Sequence, residues 1–213
     1  MTLPAEPPAD TRPASTPRAC PCAEDARGEY RHDGLLLRSA PGVAAFWSIV
    51  SGETGPSART SVRGIGQSSA IELGGTPAPG LVLGAAVWVA RVDPVFVEGG
   101  KHVSSDDDSV KLTQLRVGPF VDFYPNPRRG FHGTVAPSLV VEFETDTKGD
   151  PVEPLWYGAA LATGAGYEWF LAREVSIGLL GRFAFGSVAR TSGGTTERLT
   201  FVAPELALTA TYH

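Results

Sequence analysis

The sequence predicts an all-β fold: a closed, up-and-down antiparallel transmembrane β-barrel of about eight strands, preceded by a disordered proline-rich segment. Three observations predict it. After residue 32 the chain is a series of strand-like runs separated by Gly, Pro, Asp and Ser clusters, with no capped 3.6-residue pattern. Along those runs one face is large and apolar while the other is small and dotted with single charges. Charged residues make up only 19% of the chain, below the roughly 25% usual for soluble proteins, and a water-facing shell of Gly, Ala and Ser would be poorly solubilised.

Two units are expected: residues 1–32 as the leader and 33–213 as the barrel. In the leader, Pro4, Pro7, Pro8, Pro13, Pro17 and Pro21 block helix and sheet alike. Its residues 1–30 hold prolines and charges where a secretory signal needs an apolar core, so either the start is a processed or truncated form or the chain is not a barrel. Cys20 and Cys22 flank Pro21; that spacing strains a mutual disulfide and suits no common zinc site. They read as thiols in a flexible tail, and a lipid-anchored Cys20 lacks the apolar run that should precede it.

Eight strands are expected at 34–50, 66–75, 81–97, 112–124, 131–144, 157–169, 175–189 and 199–212. The connections 51–65, 98–111, 145–156 and 190–198 are long and polar, whereas 76–80, 125–130 and 170–174 are short. Outer-membrane barrels have this asymmetry, with long loops outside and tight turns in the periplasm. An even strand count puts both termini on the short-turn side.

The fourth run sets Leu115, Val117, Pro119, Val121 and Phe123 against Arg116, Gly118, Phe120, Asp122 and Tyr124. The last sets Val202, Pro204, Leu206, Leu208, Ala210 and Tyr212 against Phe201, Ala203, Glu205, Ala207 and Thr209. With the greasy face in lipid, the small face lines a narrow lumen that eight strands leave filled by side chains. Its isolated charges must then pair. They are Arg38, Glu72, Arg116, Asp122, Glu142, Arg182 and Glu205, three positive against four negative, and a lumen ion-pair network is expected from them. Pro119, Pro137 and Pro204 each remove a ladder donor, so bulges or unbonded positions are expected there. Aromatics gather near strand ends as interfacial girdles: Phe46 and Trp47, Phe123 and Tyr124, Phe131, Trp156 and Tyr157, Trp169 and Phe170, and Tyr212.

The stretch Arg116-Val-Gly-Pro-Phe-Val-Asp-Phe-Tyr-Pro-Asn-Pro127, followed by Gly130-Phe-His, resembles small outer-membrane β-barrel proteins of the OmpA/OmpX/OmpW-like group. So do Gly74-Gly-Thr-Pro-Ala-Pro-Gly80 leading into Leu81-Val-Leu-Gly, and Gly166-Tyr-Glu-Trp169 leading into Val175-Ser-Ile-Gly178. The resemblance spans about residues 34–213. It implies outer-membrane lipid and lipopolysaccharide as surroundings, and assembly by barrel-insertion machinery that reads a terminal aromatic. Here Tyr212 sits one place before the terminal His213.

The functional expectation is a non-catalytic barrel with a structural or surface-interaction role, acting as a single copy and holding no cofactor or metal. Nucleic acid is excluded as a partner: the net charge is −5, and the longest basic cluster is Arg128-Arg129. Two other readings stay open. A soluble periplasmic barrel would bind an apolar ligand in its cavity, as lipocalins do, with Val117, Val121, Leu139 and Leu179 pointing inward. A lipid-modifying enzyme would use His102 and Ser104, whose spacing puts both on one face of an extended segment, with Asp106, Asp107 or Asp108 in support. The three aspartates are also a candidate for a divalent cation, though such a run is more often a solvated loop. His32 and His132 fall on the expected periplasmic side, away from any acid–base partner.

Overall fold

A computed structural model of the chain describes residues 34–52, 60–98, 101–102, 111–145 and 151–213. The leader with Cys20 and Cys22, the whole of residues 1–33, lies outside them, as do Ser104 and Asp106 to Asp108.

The described chain is all strand: β1 Leu35–Ser39, β2 Gly42–Gly52, β3 Thr60–Ala78, β4 Leu81–Glu98, β5 Lys101–His102, β6 Lys111–Phe123, β7 Phe131–Thr145, β8 Pro151–Phe170, β9 Val175–Ser192 and β10 Thr195–Tyr212. No helix of the described residues is long and apolar enough to cross a membrane. Strands that follow one another round the ring pair antiparallel, with the short β5 paired to β4 and β6 pairing past it to β4, and β1 and β2 both pair with β3 and with β10, which closes the ring. β1 and β2 are one strand in constant register. Ala40 and Ala70 exchange both backbone bonds, and the Pro41 carbonyl accepts from Leu208 N–H. The interruption between them marks only the proline's missing donor.

A walk straight across the ladders goes from Ser39 through Ile71, Val87, Val117, Leu139, Ala159, Ser187 and Thr200, and returns to the first strand at Ile49. That is a stagger of ten residues over eight strands. With about 3.3 Å per residue and about 4.8 Å between strands, the strands tilt by about 40°. This is a narrow barrel whose interior holds side chains and little else.

The prolines sit where one ladder is broken and the other intact. Pro119 and Pro137 face each other in the gap between the pairs Val117–Leu139 and Val121–Val135. On their far sides Pro119 stays in register with Ala85, and Pro137 with Leu161. Pro204 falls in the only gap of the β2–β10 ladder and pairs with Phe183 across β9.

Several strands run further than their residue composition suggests. β3 starts six residues before the expected Gly66, and β8 six before Tyr157. The expected long loop 190–198 does not exist. β9 and β10 continue to a two-residue turn at Gly193 and Gly194, whose φ of 59° and 82° are open to glycine at little cost. The two ends of the barrel therefore differ less in connection length than expected.

The wall is inverted relative to a soluble barrel. Val117, Val121, Leu139 and Leu179 are 46%, 39%, 73% and 43% exposed, and Leu206 and Leu208 also face out. The cavity-binding soluble barrel required the first four inside, and their outward direction overturns it. Such a wall in water would leave an apolar surface all round the molecule. In hydrocarbon it is the favoured arrangement, because the closed ladder also satisfies the backbone.

Candidate functional site

Because side chains alternate across a strand, the even-numbered residues of described burial in β1 to β4 and β6 to β9, and the odd-numbered ones of β10, enter the lumen. That parity brings the polar groups together. Arg38 is the hub. Its Nη1 lies 2.8 Å from Glu72 Oε2 and 2.7 Å from Asp122 Oδ2, and its Nη2 donates to Tyr124 Oη at 2.9 Å and sits 3.1 Å from Glu168 Oε1. Glu72 Oε1 accepts from Arg182 Nη1 at 2.6 Å and from Trp88 Nε1 at 3.2 Å. Arg182 Nε donates to Glu205 Oε2 at 3.1 Å, and Arg116 pairs with the other Glu205 oxygen. The Arg116 and Arg182 guanidiniums lie 6.0 and 5.8 Å from the Trp88 ring centre. The result is a continuous chain, Glu168–Arg38–Glu72–Arg182–Glu205–Arg116, with Asp122 as a branch. All of its members are buried.

At the end with the turns 79–80, 124–130 and 171–174 the polar cluster continues. Glu168 accepts from Thr211 at 3.0 Å and from Ser176 at 3.2 Å, and its Oε2 is 3.4 Å from His213 Nε2. His132 is buried against Tyr124, ring centres 4.9 Å apart, with Nδ1 3.1 Å from the Gly130 carbonyl. Phe46 and Phe201, stacked 5.6 Å apart, occupy the lumen further up. Gly84 is required beside Phe120: a Cβ there would sit 2.3 Å from the Leu73 carbonyl and 2.5 Å from the Phe120 ring.

Of the seven lumen charges expected from sequence, all face inward. Six form the network, and Glu142 does not. Its partner is Gln114 Nε2 at 3.0 Å, and it makes no ion pair among the described residues. The nearest inward cation toward that end, Arg190, is engaged by Glu197 at 2.6 Å and by the Trp156 ring at 4.3 Å.

The expected girdle needs correcting at three buried rings, besides the half-buried Phe170, which shares the inward parity and packs on His213 at 5.4 Å. Tyr124 is 1% and Trp156 3% exposed, and Phe46 is likewise in the lumen. Parity decides the face, and all three share it with the inward residues; closeness to a strand end says nothing of direction. Trp47, Phe131, Trp169 and Tyr212 do face outward. Tyr167 joins Trp169 at 5.0 Å, and Tyr212 Oη donates to Glu174 at 2.8 Å. Sequence reasoning missed Glu168, although Gly158, Gly164 and Gly166 on the same strand carry the parity that places it inside.

Chemically, the arrangement neutralises charge and fills space. Ser176 Oγ and Glu168 Oε2 both address His213 Nε2, at 3.0 and 3.4 Å. A relay would need the carboxylate on the other ring nitrogen, so this trio is not set up as one. No group of three His, Cys, Asp or Glu among the described residues converges on a metal position. His102 lies in β5, in register with Val97; its proposed partner Ser104 falls outside the described residues.

No family model matches the chain, and no curated protein matches it. Among solved structures it is similar to neisserial surface protein A, at 15% identity over 84% of this chain and 97% of that one, with a TM-score of 0.48. It is similar to outer membrane protein OprG from Pseudomonas aeruginosa at 10% identity, over 87% and 99%, with a TM-score of 0.48. Outer membrane protease OmpT from Escherichia coli follows at 8% identity, over 85% and 97%, with a TM-score of 0.41. At such identities and scores these neighbours say nothing of activity. The ring of eight antiparallel strands with an apolar outer wall is this chain's own, and it is the fold of an outer-membrane β-barrel.

Proposed function

We propose that the chain is a non-catalytic outer-membrane barrel that works as a sealed, rigid anchor and presents its loops at the cell surface. One observation carries this reading. The apolar residues face out, and the lumen they enclose is crossed by ion pairs and plugged by Arg38, Trp88, Phe120 and Phe201. A plugged interior supports neither solute passage nor a ligand cavity. The barrel stands as a single copy in lipid, with lipopolysaccharide around its upper rim. The end carrying Leu35 and Tyr212 faces the periplasm, where Tyr212 is available to the insertion machinery.

The test is fractionation and flux. The protein is expected in the outer-membrane fraction, with a gel mobility that changes on heating. Reconstituted vesicles are expected to exclude small sugars. Recovery in a detergent-free soluble fraction, or rapid swelling of the vesicles in sugar, would overturn the reading.

A further inference from the structure

The lumen cations are all paired, but three on the outer wall are not. Arg63 on β3, Arg91 on β4 and Lys111 on β6 face outward and exposed, and none makes an ion pair among the described residues. They lie on neighbouring strands near the end of the barrel away from the termini. Arg91 is opposite Gln67 on β3 and Thr113 on β6. Lys111 is therefore one strand and two residues from Arg91, about 8 Å, and Arg63 one strand and four residues, about 14 Å. Among the described residues the exposed Asp93 is their one acidic neighbour, three cations against one carboxylate.

Bare cations on a lipid-facing wall are costly unless they lie at an interface or meet an anion. Their surroundings identify the anion's source. Trp47, an outward ring, is directly opposite Arg63. Toward the other end of the barrel the same strands present Ile71, Leu73, Val87 and Val117. A ligand here meets positive charge at one end and a greasy wall at the other. That suits an acylated, phosphate-bearing lipid and not a free anion. We propose that Arg63, Arg91 and Lys111 form a binding site for the phosphorylated headgroup of an outer-leaflet lipid, with Gln67 as a polar neighbour and the acyl chains along β3, β4 and β6. This rests on the membrane reading above and gives one flank of the barrel a fixed lipid partner.

The test uses the full chain in detergent, titrated with bisphosphorylated lipid A and read by native mass spectrometry. Phosphatidylcholine is the neutral control. The triple variant R63Q/R91Q/K111Q is expected to bind lipid A about a hundredfold more weakly, near fivefold per cation, with phosphatidylcholine binding unchanged. Asp93→Asn is expected to bind several-fold more tightly. Equal lipid A binding by wild type and triple variant would overturn the site, as would full competition by inorganic phosphate at matched phosphate concentration. Insertion into phosphatidylcholine vesicles is measured alongside. If the wild type fails to insert, the membrane reading itself is at fault; if both proteins insert and bind lipid A alike, only the site is.

Discussion

Replacing Arg38 by methionine removes the cation that serves the most carboxylates. In the network three guanidiniums, Arg38, Arg116 and Arg182, face four carboxylates, Glu72, Asp122, Glu168 and Glu205. Without Arg38 two face four, and Asp122 and Glu168 are left with no guanidinium. Removing one partner of a buried pair costs about 3–5 kcal/mol. Two carboxylates abandoned at once put Arg38→Met at the upper end, about 5 kcal/mol. Glu72→Gln is the informative contrast. It removes a residue that touches Arg38, Arg182 and Trp88, yet it leaves three charges against three. Arg38 keeps Asp122 and Glu168, Arg182 keeps Glu205, and the amide still accepts, so the cost is that of weakened hydrogen bonds, about 1–2 kcal/mol. Arg38→Lys falls between, because an ammonium cannot fork to several acids at once. The assay is equilibrium urea unfolding from phosphatidylcholine vesicles, followed by tryptophan fluorescence, with Trp88 reporting from within the network. Equal losses for Arg38→Met and Glu72→Gln would refute the claim that charge balance holds the lumen together.

Three further outcomes are expected of the wall, the turn and the lumen. Leu139→Arg, at an outward position 73% exposed, is expected to cost about 2–4 kcal/mol in vesicles; a neutral result would mean the wall does not meet hydrocarbon. Alanine at both Gly193 and Gly194 is expected to lower the urea midpoint by the equivalent of about 1–2 kcal/mol per residue, while Asn-Gly in their place keeps it; an unchanged midpoint with Ala-Ala would discount the turn. Glu142→Gln is expected to change stability by less than about 0.5 kcal/mol or to raise it, since no cation is lost; a loss as large as that of Arg38→Met would show that Glu142 has a charged partner.

How much of this was legible in the sequence depends on which rule governed each residue. Strand alternation is local and strict, so Leu206 and Glu205 could be assigned to opposite faces from their order alone. The same rule placed Arg38, Arg116 and Arg182 on one side of the wall. Who pairs with whom was not legible, because pairing depends on the stagger of the closed ring, which brings Glu72 of β3 to Arg182 of β9. Tyr124 and Trp156 were misread for another reason: proximity to a turn was allowed to outrank parity. The ends of β3, β8 and β9 were drawn short because 60–65, 151–156 and 190–192 fall in stretches that read as long polar loops. Gly64, Gly66 and Gly158 are strand residues where the neighbouring backbone leaves no room for a Cβ; one at Gly158 would sit 1.9 Å from the Ser187 carbonyl.

Arg38 also bears on timing. Its hydrogen-bond partners are distant along the chain: Glu72 at a separation of 34 residues, Asp122 at 84 and Thr211 at 173. They come from the second, fourth and last strands of the ring. Early in assembly Glu72, directly opposite on the second strand, is the one carboxylate that Arg38 can meet, and Asp122 and Glu168 join only as later strands arrive. Contacts this remote form slowly, and by the same token no single fraying strand releases them all. The barrel should therefore be late to finish and reluctant to reopen, with its durability set by the last strand to arrive.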